Sequence, residues 1–180
     1  MSNLKWSGLA VLLPLAAFGQ NSTTIAADVA IDEVAMMRIV DQTGNLIKSL
    51  SFPIVSQAVA GDVPVLTGFH DAYIQFTSIA STAPDNFRSI SVEVQPTLPP
   101  GLSLNFISTP PISGNLGNYY TTSLSSINTT GLIADGIESG FTGSGSNAGA
   151  KVLHSLDFNP EMVRTQQSGT YLMLYTLSNY

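Results

Sequence analysis

Few residues of this chain have the types and spacing that chemistry at a protein site requires. The two histidines, His70 and His154, are the candidates for a general base, and Asp71 and Ser155 follow them as an orienting acid and a nucleophile. Adjacent residues of a strand point to opposite faces, so His70 and Asp71 would not meet if they lie on one. The sequence also lacks a Gly-x-Ser-x-Gly elbow. We therefore expect no catalytic residue and no enzyme activity.

The sequence gives equally little support for a metal site or a cofactor site. The stretch 142–150 (TGSGSNAGA) is rich in glycine, as phosphate-binding loops are, but it lacks their Lys-Ser/Thr ending and indicates a flexible hairpin connection. The twelve acidic residues are scattered. Asp135 and Glu138 flank Gly136 without the alternating ligand spacing of an EF-hand loop. We expect no cofactor and no metal, with calcium held between loops as the alternative.

Two neighbouring aromatic residues are the candidate ligand loop. Tyr119 and Tyr120 follow a segment rich in glycine and asparagine, 114–118. Paired aromatic rings on a loop can stack on sugar rings, and they can equally cover the end of a hydrophobic core. Both interpretations stay open at this point, so carbohydrate is a candidate ligand.

The first nineteen residues indicate where the protein goes. Lys5 precedes an apolar run at 9–18, and small residues, Ala17 and Gly19, stand ahead of Gln20. This is the pattern of a secretory signal peptide. The run is shorter than the roughly 20 apolar residues that span a bilayer, and it contains Pro14. We expect residues 1–19 to be removed and 20–180 to be exported, to the cell surface, the extracellular space or the periplasm.

Composition narrows the partners of the exported chain. Residues 20–180 keep five basic and all twelve acidic side chains, for a net charge of about −7, which argues against nucleic acid and anionic membranes. Charged residues are 10% of the chain, against about 25% in typical soluble domains. The sequence has no cysteine, which excludes disulfides, thiolate metal sites and a lipidated N-terminal cysteine. We find no second long apolar segment and expect no membrane span.

Apolar and polar residues alternate with a period of two along much of the chain, which is typical of half-buried strands. The alternation is clearest at 89–95 and 102–106, which a proline-stiffened turn separates. The segment 170–177 is apolar on both faces and predicts a strand that is central or packed on both sides. The pattern predicts one all-β domain, 20–180, with the antiparallel sandwich architecture. The remaining predicted strands are 46–55, 72–78 and 151–158.

The segment 24–41 is long, apolar and close to one end of the exported chain. A helical stripe fits it almost as well as a bent strand with a bulge near Asp32, and the all-β context favours the strand. An exposed edge strand of this kind can pair with a neighbouring molecule. The candidate subunit-contact residues are Ile25, Val29, Ile31, Val34, Met36 and Ile39.

Several short blocks resemble a known group of proteins. The AFGQ junction at 17–20 is similar to the signal cleavage sites of exported Bacteroidetes proteins, and 33–39 (EVAMMRI) resembles the opening strand of small, largely uncharacterised secreted β-sandwich proteins of that phylum. Later blocks of that group resemble 101–104, 140–145 and 168–171. The Gly-Thr-Tyr strand that ends at Tyr180 remotely resembles the closing strand of fimbrial and spore-coat-type subunits. The resemblance implies an immunoglobulin-like antiparallel β-sandwich and assembly by strand donation.

Two hypotheses of function follow. The first is an exported structural subunit of a surface or extracellular filament, joined by β-strand addition to copies of itself or to another surface subunit. The second is a monomeric secreted module that binds carbohydrate or another surface component. The low charge and the long apolar segment 24–41 favour the first hypothesis.

Overall fold

The computed structural model describes residues 32–52, 54–55, 65–66, 68–80, 86–113, 116–159, 161–162 and 169–179. These residues belong to one compact unit, Asp32–Tyr180. Its regular structure, within the described residues, is strand throughout. The strands are β1 (Val34–Val40), β2 (Ile54–Val55), β3 (Val65–Leu66), β4 (Phe69–Ile79), β5 (Arg88–Gln95), β6 (Leu102–Thr109), β7 (Asn118–Tyr119), β8 (Thr121–Leu124), β9 (Thr130–Ile137), β10 (Gly140–Phe141), β11 (Ala150–Phe158) and β12 (Leu172–Asn179).

Two antiparallel sheets form the protein. The first sheet has the order β1-β4-β11-β6-β8, with β10 also paired to β4, and the second has the order β12-β5-β9-β7. The short strands β2 and β3 pair separately. The predicted all-β class is confirmed, and the two sheets are consistent with a β-sandwich.

The core lies between the two sheets, where the alternation of the sequence predicts it. From the second sheet, β5 contributes Ile90 and Val92, and from the first sheet β6 contributes Leu104 and Phe106, all of them buried. Each fully buried side chain of this size stabilises the fold by roughly 1.5–3 kcal/mol relative to its exposed state. Phe106 is wholly buried and anchors this cluster.

One side of the structure is closed by a strand that changes sheets. The chain pairs with β9 in the second sheet as β7 and with β6 in the first sheet as β8. Tyr120 lies at the crossing, where its N–H is 3.0 Å from the Ile133 carbonyl oxygen. The buried hydroxyl of Ser108 lies within hydrogen-bond distance of Tyr120 N, Tyr120 O and Ile133 O. This hydroxyl therefore bridges the two sheets along the closed side.

The opposite side holds the edge strands β1 and β12, and a buried arginine links them. Arg88, 3% exposed, donates through Nη2 to Glu33 at 2.6 Å and to the Ile79 carbonyl oxygen at 3.2 Å. Its Nε donates to the hydroxyl of Ser78 at 3.2 Å, and its Nη1 donates to the side chain of Asn179. One guanidinium thus joins the residue before β1, the end of β4 and the end of β12.

Two strand predictions were wrong. Of the predicted strand 46–55, the residues 46–52 are irregular except for a single bridge from Leu46 to Val40, and only Ile54–Val55 is a strand. The predicted central strand 170–177 is β12, at the edge of the second sheet. Leu172 and Leu174 point outward there and are 62% and 46% exposed, so the second apolar face is solvent-facing.

The Arg88 network predicts a large stability effect for one substitution. Arg88→Met removes the donor that Glu33, Ser78 and Ile79 share. Glu33 is partly exposed and can turn to water, so the main cost is that of the Ser78 hydroxyl and the Ile79 carbonyl oxygen left without this donor, about 1–3 kcal/mol for each group. We expect that loss in the free energy of unfolding, measured by urea denaturation with circular dichroism. Lys48→Met is the control, because Lys48 is exposed and should change stability by less than about 0.5 kcal/mol. Equal losses in the two variants would contradict a structural role for the network.

Candidate functional site

The strand β1 is the candidate site, because its position in the sheet leaves one edge unpaired. Its seven residues pair in register with β4, from Val34 opposite Ile79 to Val40 opposite Tyr73. No strand in the described part of the chain pairs with the other edge of β1. Within the described residues, β1 is therefore an edge strand of the first sheet, and 24–31 of the predicted segment 24–41 lie outside the described residues.

The direction of the backbone groups of β1 follows from the neighbouring bonds of β4. Phe76 exchanges hydrogen bonds of 3.0 Å with Thr142 on the β10 side, so Gln75 and Thr77 direct their N–H and C=O groups towards β1. Their partners in β1, Arg38 and Met36, are turned towards β4. The odd-numbered residues of β1 consequently direct their backbone groups to the outer edge.

A short turn covers only one end of that outer edge. The chain reverses after β1, and Ile47 N–H donates to the Ile39 carbonyl oxygen at 3.1 Å. Within the described residues, the outer backbone groups of Glu33, Ala35 and Met37 have no backbone partner. These groups are the ones that strand addition uses.

The outer face of the first sheet carries an apolar row beside this edge. Met36 and Phe141 both lie opposite Thr77, one in β1 and the other in β10, and they are 62% and 70% exposed. An open groove of about 640 Å³ runs over them. The core-facing residues of β1 lie on the other face, where Met37 is paired with Phe76.

The glycine-rich segment 142–149, predicted to be a flexible connection, packs against the outer face of the first sheet. Gln75, 3% exposed, donates to the carbonyl oxygens of Gly145 and Ala148 at 2.9 Å and accepts from Arg38 Nε at 2.8 Å. At Gly149, with φ +112°, a Cβ would lie 2.7 Å from the Ile74 carbonyl oxygen. Glycine is therefore required for the close approach of this segment to β4.

The predicted contact residues divide between two faces. Val34 and Met36 point outward from β1, whereas Ile39 points towards the core opposite Ile74. The structure therefore does not place these three on one surface. The other predicted contact residues, Ile25, Val29 and Ile31, lie outside the described residues.

The two tyrosines of the predicted ligand loop do not share a face. Tyr119 packs against the core, and its hydroxyl donates to the Leu116 carbonyl oxygen at 3.1 Å. Burial raises the pKa of Tyr119 above its usual value. Tyr120 is 36% exposed, and its hydroxyl donates to Asp135 at 2.9 Å. The pair does not form one flat platform for a sugar ring.

The side chains of the two histidines have different hydrogen-bond partners. His70 lies 2.6 Å from the Ser51 carbonyl oxygen, and Asp71 pairs with Lys151 at 2.8 Å, so these two neighbours do not form a pair with each other. The hydrogen bond from Lys151 to Asp71 is the main cause of the raised pKa of Lys151. His154 is buried in β11 with both ring nitrogens occupied.

His154 is a polar link through the core. Its Nδ1 donates to the His70 carbonyl oxygen at 3.1 Å, and its Nε2 accepts from the Tyr175 hydroxyl at 2.5 Å. Phe106 makes edge-on contacts with both rings. Burial lowers the pKa of His154, although the bond to His70 opposes this, and burial raises the pKa of Tyr175. The imidazole is therefore neutral and joins β11 of the first sheet to β12 of the second.

Neither a metal-binding cluster nor a membrane-spanning helix is found in the part of the chain that the structure describes. There, no three residues among His, Asp and Glu come together to hold a metal ion. Asp135 instead accepts hydrogen bonds from Asn118 and Tyr120. The described residues also form no helix with the length and apolar character needed to cross a membrane.

Comparisons with known protein families, with curated proteins and with solved structures found no match to this chain.

Two structurally important residues escaped prediction from the sequence. Arg88 has the same parity as Ile90 and Val92 in β5, so a charged residue stands in the inward series. Gln75 of β4 is flanked by two apolar residues, Ile74 and Phe76. The available signal was a polar side chain at a position that the alternation or the flanking apolar residues mark as buried, which points to a buried hydrogen-bonding role.

His154 predicts a pH dependence of stability. The unfolded histidine titrates near pH 6.5, and the folded pKa is lower because of burial. Below about pH 6.5 the unfolded state binds a proton that the folded state does not, so stability falls as the pH drops towards the folded pKa. Urea denaturation between pH 7.5 and pH 5 should show this fall, and His154→Gln should reduce it. Parallel pH profiles for the two proteins would contradict this assignment.

Proposed function

We propose that this protein is an exported structural subunit of a cell-surface or extracellular assembly, joined by β-strand addition at β1. The observation that supports the proposal is the unpaired outer edge of β1 among the described residues, at Glu33, Ala35 and Met37. Natural edge strands are usually guarded by charged side chains or by proline. β1 contains no proline, and Arg38 is its one charged residue.

The side chains on this side of the protein fit association. Met36 and Phe141 are exposed beside β1, and Leu172 and Leu174 are exposed on β12. The second edge strand matters because an open-ended filament needs two association surfaces on each subunit. Contact at one surface alone would end in a closed pair.

Export completes the proposal. The charged and apolar pattern of 1–19 supports cleavage after Gly19, and the place of action is then the cell surface, the extracellular space or the periplasm. We propose, from the resemblances in sequence, that the two sheets are a variant of the immunoglobulin-like sandwich. The partners are copies of this chain or another surface subunit, which bury the edge of β1.

Ala35→Pro tests strand addition without dismantling β1. The N–H of Ala35 faces the outer edge, so proline there removes no bond to β4 and is tolerated as on other edge strands. It blocks a strand arriving from outside. We expect the exported protein, 20–180, to form assemblies in negative-stain electron microscopy, and Ala35→Pro to remain dispersed with unchanged circular dichroism.

Ala35→Ser is the matched control, because it keeps the N–H group and should assemble like the parent protein. Assembly of Ala35→Pro to the same extent as Ala35→Ser would refute strand addition at β1. Removing β1 altogether would be a poorer test, because it would also uncover the backbone of β4.

A monomeric carbohydrate-binding module is the second proposal, and one cleft supports it. The cleft has a volume of about 350 Å³ and offers hydroxyl, amide and carboxylate groups beside apolar surface, as sugar sites do. Its lining includes Ser103, Ser125, Ser126, Asp157, Phe158 and Asn159.

The cleft gives this second proposal its own test. A sugar that binds there should raise the melting temperature of a monomeric protein, and Phe158→Ala should abolish that rise by removing the apolar wall. Tyr120→Ala is the control, because Tyr120 does not line the cleft. A panel of sugars that leaves the melting temperature unchanged would speak against a binding module.

A further inference from the structure

Within the described residues, backbone groups without a backbone partner face the outer edge of β1 at Glu33, which directly precedes the strand, and at Ala35 and Met37. Beyond them the Ile39 carbonyl oxygen already accepts from Ile47. Ala35 is the middle one of these three residues. An antiparallel copy of the same three residues pairs with all of them when it is centred opposite Ala35.

Pairing between two copies of β1 uses all three of these residues. Related by a twofold axis perpendicular to the sheet, the two strands run antiparallel, and Ala35 lies opposite Ala35 of the second copy. Glu33 then lies opposite Met37 in both directions. Each such pair exchanges two bonds, for a total of about six backbone hydrogen bonds. Centring on Met36 instead places Glu33 opposite Ile39, whose carbonyl oxygen already accepts from Ile47.

The same register brings opposite charges together on the outer face. Even-numbered residues of β1 point outward, so Val34 lies opposite Met36 of the second copy. Asp32 precedes β1 by two residues and lies opposite Arg38 when the same alternation is continued to it. Opposite charges facing each other across antiparallel strands stabilise the pairing. The twofold axis makes both contacts twice. The charges and the backbone groups of the described residues thus favour the same register.

Neither charged residue forms an ion pair within the described part of its own chain. Asp32 is exposed and takes no part in the ion pairs of the described residues, which are Arg88–Glu33 and Lys151–Asp71. Arg38 is exposed and bonds Gln75 through Nε, and its Nη atoms make no hydrogen bond within the described residues. Both are therefore available to a neighbour.

We propose that a second copy of this chain is the partner at β1, paired antiparallel in the register centred on Ala35. The inference rests on strand addition as the proposed function and names its partner and register. Because one pair of edge strands buries little surface, association is weak and depends on protein concentration.

Cysteine cross-linking tests the register directly, because the sequence has no cysteine of its own. Val34→Cys and Met36→Cys place thiols on the outer face, opposite each other only between different copies. At a non-hydrogen-bonded pair the Cα atoms are about 4.5 Å apart, within reach of a disulfide. A mixture of the two variants should therefore cross-link at least about tenfold faster than either variant alone. A free-energy difference of about 1.4 kcal/mol between the paired and the unpaired arrangement of the thiols is enough to give that factor.

Ile127→Cys is the control for random collisions, because Ile127 is 95% exposed and distant in sequence from β1. Preferential cross-linking of Met36→Cys alone would overturn the register, since it requires a centre at Met36. No cross-linking above the Ile127→Cys background would overturn the pairing of β1 with β1 of a second copy. If the purified protein still forms assemblies that are sensitive to Ala35→Pro, strand addition stands and β1 pairs with a different strand of the second copy.

A second test of the pairing reverses the charges of Asp32 and Arg38. Asp32→Arg or Arg38→Asp opposes like charges twice, and each should raise the dimer dissociation constant about tenfold in sedimentation equilibrium. The double reversal should return it to within about threefold of the parent value, and high salt should reduce the single effects. Glu138→Arg, an exposed reversal outside β1, should have no effect. Single reversals without effect, or a double reversal without recovery, would overturn the pairing of Asp32 with Arg38.

Discussion

A buried guanidinium is the interaction on which the arrangement of this protein depends most. Arg88 is almost wholly removed from water and is stable there because Glu33, Ser78, Ile79 and Asn179 together satisfy its donors. A buried charge tolerates few alternatives, since each lost partner leaves part of the desolvation penalty uncompensated. The ends of β4, β5 and β12 and the start of β1 must therefore come together at one place. Apolar packing holds the two sheets together, and the directional hydrogen bonds of Arg88 determine which strand ends lie side by side.

The edges of the two sheets are connected differently on the two sides of the molecule. On one side the strand that passes from β7 to β8 serves both sheets, and Ser108 bridges them. On the other side β1 and β12 end their sheets separately, and the hydrogen bonds that link their ends in the described residues are made by side chains. Unsatisfied strand edges invite pairing with other chains. The asymmetry explains why the proposed association belongs to the β1 side, and His154 with Tyr175 adds a second polar link that holds β12 in place.

The predictions from sequence succeeded where a pattern is local. Alternation in β5 and β6 correctly separated core from solvent-facing residues, because side chains of a strand alternate whatever its neighbours are. It failed for β12, where Leu172 and Leu174 look like a second buried face and are exposed, since position within a sheet is set by distant strands. The packing of 142–149 against Gln75 was equally inaccessible, because it joins residues about seventy positions apart. The candidate site was predicted as a segment, and the division of its side chains between two faces needed the register with β4.

The continuous pairing of β1 with β4 has a mechanical consequence. Seven successive residues of β1 are matched in one unbroken register. A pull directed along β1 loads all the hydrogen bonds of this ladder together, so they share the force, whereas a pull across the strand would open them one after another. A subunit gripped by this strand would transmit tension into the first sheet in the stronger of these two directions. The end of β1 at which Arg88 holds Glu33 would then act as an anchor against peeling.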